Sequence, residues 1–186
     1  MTDCTAFAGT KRIASGSLQE GAVKAKALWD EDKWAQVLIF DNVSSELLEV
    51  DFRGSAEDVR RRIPETAAGG APRRPGRPRL GVVAREVTLL PRHWDWLASQ
   101  PGGASVALRK LVEQARVANR GIDRRRFAQE SAYRFLSAMA GNEPGFEEAI
   151  RALFAGRQER FDEMVEPWPE DIRDHAKKLA AGAFAE

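Results

Sequence analysis

Apolar positions along the chain fall into two rhythms, and their alternation sets out the elements. Thr5-Ala6-Phe7-Ala8 and Arg12-Ile13-Ala14-Ser15 read as short strands around a Gly9-Thr10-Lys11 turn. Leu18, Ala22, Ala25 and Trp29 recur at helical spacing and predict a helix over Leu18–Asp30. Val37-Leu38-Ile39-Phe40 is an unbroken apolar run, the mark of a buried strand. Leu47 to Phe52 begins apolar and then alternates, as a half-buried strand does. The turn formers Asp41 to Glu46 between these two predict a hairpin. Ser55, with Asp58 three residues on, predicts a capping box and a helix. The N-terminal third therefore reads as a small ββαββα unit over residues 1–63.

The pattern stops at Pro64. Residues 64–81 are rich in glycine, proline and arginine and carry no period, which predicts a linker. Beyond it, Glu86-Val87-Thr88-Leu89-Leu90 reads as a strand. Pro91 suits a helix start, with Trp94, Leu97 and Ala98 as its apolar stripe. Gly102-Gly103-Ala104-Ser105 reads as a turn ending in Ser105 as N-cap. Leu108, Leu111, Val112 and Ala115 then predict a helix from Val106 to about Asn119. From Arg120 the helical period resumes and runs to Ala140. Three further helices are expected over Phe146–Phe154, Glu159–Val165 and Asp171–Ala181, split by Gly156 and by Pro167-Trp168-Pro169. The fold class is α+β: the N-terminal unit, a basic linker, a strand-helix-helix module over 82–120 and a helical bundle over 121–186.

Charge changes the picture. The net charge is only +1, yet the ionic residues are sorted. Residues 1–70 carry 9 Lys+Arg against 12 Asp+Glu, residues 71–126 carry 13 against 4, and residues 127–186 carry 7 against 12. A block of +9 between two acidic flanks is the electrostatic footprint of a polyphosphate partner. The competing explanation is that the block docks on the acidic ends of its own chain.

The block opens with Arg73-Arg74-Pro75-Gly76-Arg77-Pro78-Arg79. Proline fixes φ and removes a donor, and glycine permits close backbone approach. The core Gly76-Arg77-Pro78, flanked by arginines, resembles the AT-hook, which lies in the minor groove of AT-rich DNA. That resemblance implies minor-groove contacts from Arg77 and Arg79. A basic interdomain tether is the plainer explanation of the same residues.

The pattern Val87-Thr88-Leu89, a helix, Gly102-Gly103-Ala104-Ser105 and Ala107-Leu108-Arg109-Lys110-Leu111-Val112 resembles a ribbon-helix-helix DNA-binding domain over residues 82–118. The resemblance implies a homodimer whose paired strands enter the major groove. It also implies a phosphate held at the start of the second helix, at Ala104-Ser105-Val106. Thr88 would then face the groove, while the opposite register would present Arg85. Arg74, Arg109, Lys110 and Arg116 would hold phosphates.

Catalytic chemistry is sparse. The two histidines, His93 and His175, lack metal-spaced partners. Cys4 has no evident activator and excludes an internal disulfide. The aromatics Phe127, Tyr133, Phe135, Phe146, Phe154, Phe161 and Trp168 sit at helical spacing and are expected in the core, not as a base-stacking platform. Lys24, Lys26, Asp41 and Asp51 are expected on solvated surface. No catalytic, metal or cofactor site is expected. No signal peptide or membrane span is visible, so a reducing cytoplasm, and the nucleoid within it, is the expected setting. The reading is a DNA-binding protein with an AT-rich preference. The alternative is a regulatory adaptor that meets a protein partner, for which the C-terminal helices are available.

Over nearly its full length the chain resembles a bacterial domain-of-unknown-function family, DUF2239. The resemblance rests on Thr5-Ala6-Phe7-Ala8-Gly9, on Gly76 through Trp94 and on Phe146-Glu147-Glu148-Ala149. It implies no activity.

Overall fold

A computed structural model describes residues 3–64, 81 and 83–185. The fold is α+β, with three strands and eight helices among the described residues. The chain divides into two compact units. The first combines residues 1–69 with 122–186, and the second spans 70–121. The division differs from the sequence reading, because the two terminal segments expected as separate domains share one core.

In the first unit, β1 (Asp3–Ala8), β2 (Lys11–Ser17) and β3 (Val37–Asp41) form an antiparallel sheet in the order β2-β1-β3. Gly9 takes φ +55° in the tight β1–β2 turn, a region open to glycine at no steric cost. Alternation along β1 sends Cys4 and Ala6 to one face and Thr5 and Phe7 to the other, and all four are buried. Both faces are therefore covered. On one side α1 (Leu18–Glu31) closes a cluster of Cys4, Ala6, Ala14, Ala25 and Ile39. On the other, Phe7 and Phe40 enter a core with Phe135, Leu136, Leu153, Phe161 and Ile172.

Those last residues come from four helices: α5 (Arg120–Met139), α6 (Phe146–Phe154), α7 (Gln158–Val165) and α8 (Glu170–Phe184). The bounds follow the sequence signals. Gly145 caps α6 at φ +78°, and Pro167 and Pro169 separate α7 from α8. Trp168, between those prolines, is buried and donates its indole N–H to the Pro144 carbonyl at 2.8 Å. Small residues let α5 and α8 approach closely, since a Cβ on Gly182 would sit 3.0 Å from that of Ala128. Ser45 of the β3 turn and Ser131 of α5 are both buried and share a hydrogen bond of 2.8 Å. Arg134 of α5 donates to the Ser44 carbonyl of the same turn.

The predicted second strand of the β3 hairpin is not formed. Leu47 and Leu48 pair briefly with Phe40 and Ile39, and the ladder then ends. The Asp51 carboxylate accepts from the Arg53 N–H at 3.0 Å, and Arg62 of α2 (Ala56–Arg62) donates to the Asp51 and Arg53 carbonyls. These bonds turn the chain away from the sheet toward α2. The N-terminal order is thus ββαβα. The capping box at Ser55 and Asp58 is present as expected.

The second unit holds α3 (Pro91–Ala98) and α4 (Gly103–Ala118), packed as a hairpin. Pro91 occupies the helix start, as its fixed φ favours. Residues 83–90 have no regular secondary structure, so the expected strand is absent from the single chain. A lone strand has no ladder to join. Ser105 does not cap α4. Gly102 is the N-cap at φ +86°, Gly103 N–H bonds the Gln100 carbonyl at 2.9 Å, and the helix begins three residues earlier than expected.

Candidate nucleic-acid interface

The sequence-derived contacts are distributed unevenly. Arg73, Arg74, Gly76, Arg77, Pro78 and Arg79 lie outside the described residues. Arg85 and Thr88 are exposed in the irregular stretch before α3. Ser105 is exposed in the first turn of α4 and makes no capping bond. Arg109, Lys110 and Arg116 are exposed along α4.

The geometry of α4 separates two chemistries. Ala104, Leu108, Leu111, Ala115 and Ala118 follow one another by alternating steps of four and three, which draws one apolar seam along the helix. Arg109 and Arg116 are seven residues apart, so they sit two turns apart on the face opposite the seam, with Glu113 between them. Arg116 grips Glu113 with two bonds, at 2.8 and 3.2 Å. That contact holds the Glu113 carboxyl below its usual range. An exposed pair of this kind is weak and leaves the guanidinium free to exchange its partner for a phosphate. Lys110 also points away from the seam, on the other side of the helix from Arg109 and Arg116. Among the described residues, no side-chain hydrogen bond or ion pair engages its ammonium or the Arg109 guanidinium.

The start of α5 itself carries cations that were not picked out in sequence. Every residue from Arg109 to Phe127 is exposed, and this span includes Arg120, Arg125 and Arg126. Arg126 pairs with Asp123 at 3.0 Å. The signal was present as the run Arg124-Arg125-Arg126.

Elsewhere the structure corrects several expectations. His175, which sits among charged residues in sequence, is in the core. It is 2% exposed, packed against Phe135 at 4.6 Å and Phe7 at 5.5 Å between ring centroids. Among the described residues its Nε2 has no hydrogen-bond partner. Burial, with Lys178 and Arg12 nearby, lowers its pKa to about 4, so the ring is neutral. The signal lay in the stripe Ile172, His175, Ala176, Ala180, Ala183, all buried at helical spacing. Lys26 is not on the surface either. It is buried, ion-paired with Asp30, and lies over the Trp29 ring at 5.3 Å. Of the aromatics expected in the core, Phe135, Phe161 and Trp168 are buried and Phe146 is half-buried. Phe127, Tyr133 and Phe154 are exposed. Tyr133 and Phe154 meet edge-on at 5.9 Å.

Cys4 is buried, and burial with the nearby Asp3 and Asp41 charges pushes its thiol up to about 11. Burial pushes the Asp41 carboxyl up, but N–H groups of Ser44 and Val43 and the Ser44 hydroxyl outweigh it and hold the acid below its usual range. Among the described residues, no group of three or more His, Cys, Asp or Glu could hold a metal ion. A groove of about 420 Å³ between β3 and residues 47–52 is lined by apolar side chains and Glu49. No helix among the described residues is long and apolar enough to cross a membrane.

These features define an α+β protein with a well-packed sheet-and-helix body and a basic helical hairpin inserted into its sequence. The chain belongs to the family described as an uncharacterized protein conserved in bacteria, DUF2239, whose model matches residues 3–180. Comparison with curated proteins and with solved structures gave no match.

Proposed function

We propose that this protein binds nucleic acid, DNA in the bacterial nucleoid, through the basic block of residues 71–126. The observation that carries the reading is the concentration of 13 Lys+Arg against 4 Asp+Glu in that block. It is supported by the exposure of Arg109, Lys110 and Arg116 on α4, away from the apolar seam. Arg77 and Arg79 follow the minor groove, with Arg73, Arg74, Gly76 and Pro78 taking part in the same contact. Arg109, Lys110 and Arg116 hold phosphates and fix position without reading sequence. Arg85 and Thr88 lie between these two groups in the chain, where either side chain reaches a groove edge or a phosphate. The N-terminus of α4, with Ser105 in its first turn, offers backbone N–H groups to one further phosphate.

Gel shifts on AT-rich and GC-rich duplexes over a salt series test the reading. Affinity falls as salt rises, with a log–log slope of about −0.9 for each phosphate neutralised. Arg77→Ala weakens binding and narrows the preference for the AT-rich duplex. An unchanged preference reduces residues 73–79 to a tether. Absence of binding to either duplex at low salt overturns the proposal and favours the adaptor, with no nucleic-acid role.

A further inference from the structure

The sheet of the first unit has two edges, and they are finished differently. At the β2 edge stand Lys11 and Arg12, and the β1–β2 register shifts between Ala6 and Phe7, as at a bulge. Asp171 of α8 accepts the Arg12 N–H at 3.0 Å. Charge, a bulge and a covering group are the usual defences of an open edge. The β3 edge has none of them along Val37-Leu38-Ile39. Asp41 N–H donates to the Glu46 carbonyl at 2.9 Å, and Leu48 N–H donates to the Ile39 carbonyl at 2.8 Å. The backbones of residues 39 and 41 therefore face away from β1, and by the two-residue period so does that of Val37. Gln36 agrees with this parity, since its carbonyl accepts from Gly9 on the β1 side at 3.1 Å. Past Leu48 the chain leaves the sheet. Among the described residues, no backbone group then pairs with the outward N–H of Ile39 or the N–H and C=O of Val37.

The groove of about 420 Å³ lies in the gap so opened, and its two faces differ in chemistry. Val37, Ile39, Val50 and Phe52 belong to the apolar cluster on the α1 side. Leu47 bridges to Phe40 and so lies on the opposite face, with Leu38 and Glu49 by the same period. Glu49 is exposed, and among the described residues it has no hydrogen-bond or ion-pair partner.

We propose that the open edge of β3 takes an extended segment of another protein as a fourth strand of this sheet. Two observations choose this occupant. Unpaired N–H and C=O groups at strand spacing are met by another strand, and not by a helix, whose backbone bonds are internal. Alternation in the incoming strand then matches the two faces. Its apolar residues point toward the α1 side, and a lysine or arginine between them points to the other. The stem of that cation covers Leu38 and Leu47, and its charge meets Glu49. An acidic segment is repelled by the same carboxylate. The contact uses no residue of the basic block, so it stands apart from the nucleic-acid reading.

Fluorescence anisotropy on the full chain tests the edge with a labelled probe, a short blocked peptide of alternating valine and threonine with a central lysine. The expected result is saturable binding. Val37→Pro removes one outward N–H and leaves the β1 ladder, because proline is tolerated at the first residue of an edge strand. It weakens binding by about five- to tenfold. Glu49→Lys weakens binding by about two- to fivefold and reverses the preference, so that the peptide with glutamate in place of lysine binds better. This charge reversal tests the contact even if Val37→Pro fails to fold. No saturable binding up to about 1 mM peptide overturns the proposal. So does a preference unchanged by Glu49→Lys, or an unchanged affinity in a folded Val37→Pro chain. The rival occupant is a second copy of this chain. Light scattering without peptide that shows a dimer, dissociated by Val37→Pro, assigns the edge to that copy and overturns the proposal.

Discussion

The two units of this chain use apolar residues in opposite ways. In the first, a three-stranded sheet is covered on both faces, and Phe7, Phe40, Phe135, Leu153 and Phe161 are almost wholly buried. In the second, Trp94, Trp96, Leu111, Val112 and Val117 are at least 40% exposed, and among its described residues Leu97 and Ala107 are the buried apolar side chains. Charge divides the same way, because the +9 block lies mostly in the second unit. A body with its own core needs no partner to fold. The second unit instead carries an exposed basic helix and few buried apolar residues among those described. The proposed nucleic-acid contact draws on this difference, since it rests on the exposed cations of the second unit.

The contrast breaks most readily at the core. Phe135→Ala removes a ring that touches Phe7, Phe40 and His175, and it lowers the stability of the first unit by about 3–5 kcal/mol in calorimetry. Val112→Ala leaves that transition in place. Similar losses from both substitutions would mean that the units do not differ in the way described.

The next largest effect is acid sensitivity confined to the first unit. The folded state holds His175 neutral, with a pKa of about 4 against an ordinary value of 6.5. The unfolded chain therefore binds the proton more readily, and stability rises with pH between these values. The contribution is complete above pH 6.5, falls away toward pH 4, and amounts to about 3 kcal/mol. The charged groups nearest the ring include Arg12 of β2 and Lys178 of α8, and both oppose its protonation. Arg12 is itself tied to Asp171, its backbone N–H donating to that carboxylate at 3.0 Å. Chemical denaturation of His175→Leu from pH 4 to 7 removes the part of the slope due to this residue. An unaltered slope would assign the acid sensitivity to other groups.

A smaller effect sharpens the packing of the sheet against α1. Gly21 faces Cys4 so closely that an added Cβ would lie 2.8 Å from Sγ. In an open helix Gly→Ala stabilises, by roughly 1 kcal/mol. Here overpacking wins, and Gly21→Ala costs about 1–3 kcal/mol, measured by thermal unfolding. Adding Cys4→Ala removes the clash and recovers part of the loss. A stabilising Gly21→Ala would show this layer to be looser than its geometry.

Much of this architecture is legible in sequence where a local signal fixes it. The helix over Phe146–Phe154, the capping box at Ser55 and the helix opening at Pro91 each carry their own chemistry. What sequence misses is decided by partners outside the local pattern. Residues 47–52 alternate like a strand, yet hydrogen bonds from Arg62 turn them aside. His175 sits among charged neighbours in sequence, while the helix period points its ring at Phe7, more than 160 residues away. The sharing of one core by the two termini has no local signature at all. The basic block is the reverse case. Its composition is plain in sequence, and its sorting on α4 into a cationic face and an apolar seam follows from spacing alone.

The most direct measurement is the affinity of the full chain for a labelled duplex as salt is raised, by fluorescence anisotropy, for the native protein and for Arg109→Ala/Lys110→Ala/Arg116→Ala. The expected result is tight binding at low salt with a steep negative log–log slope, and a triple variant whose slope is shallower by about 0.9 for each phosphate it no longer neutralises. A native protein that fails to bind at low salt, or a triple variant that binds with unchanged affinity and slope, contradicts the assignment of nucleic-acid binding to the second unit.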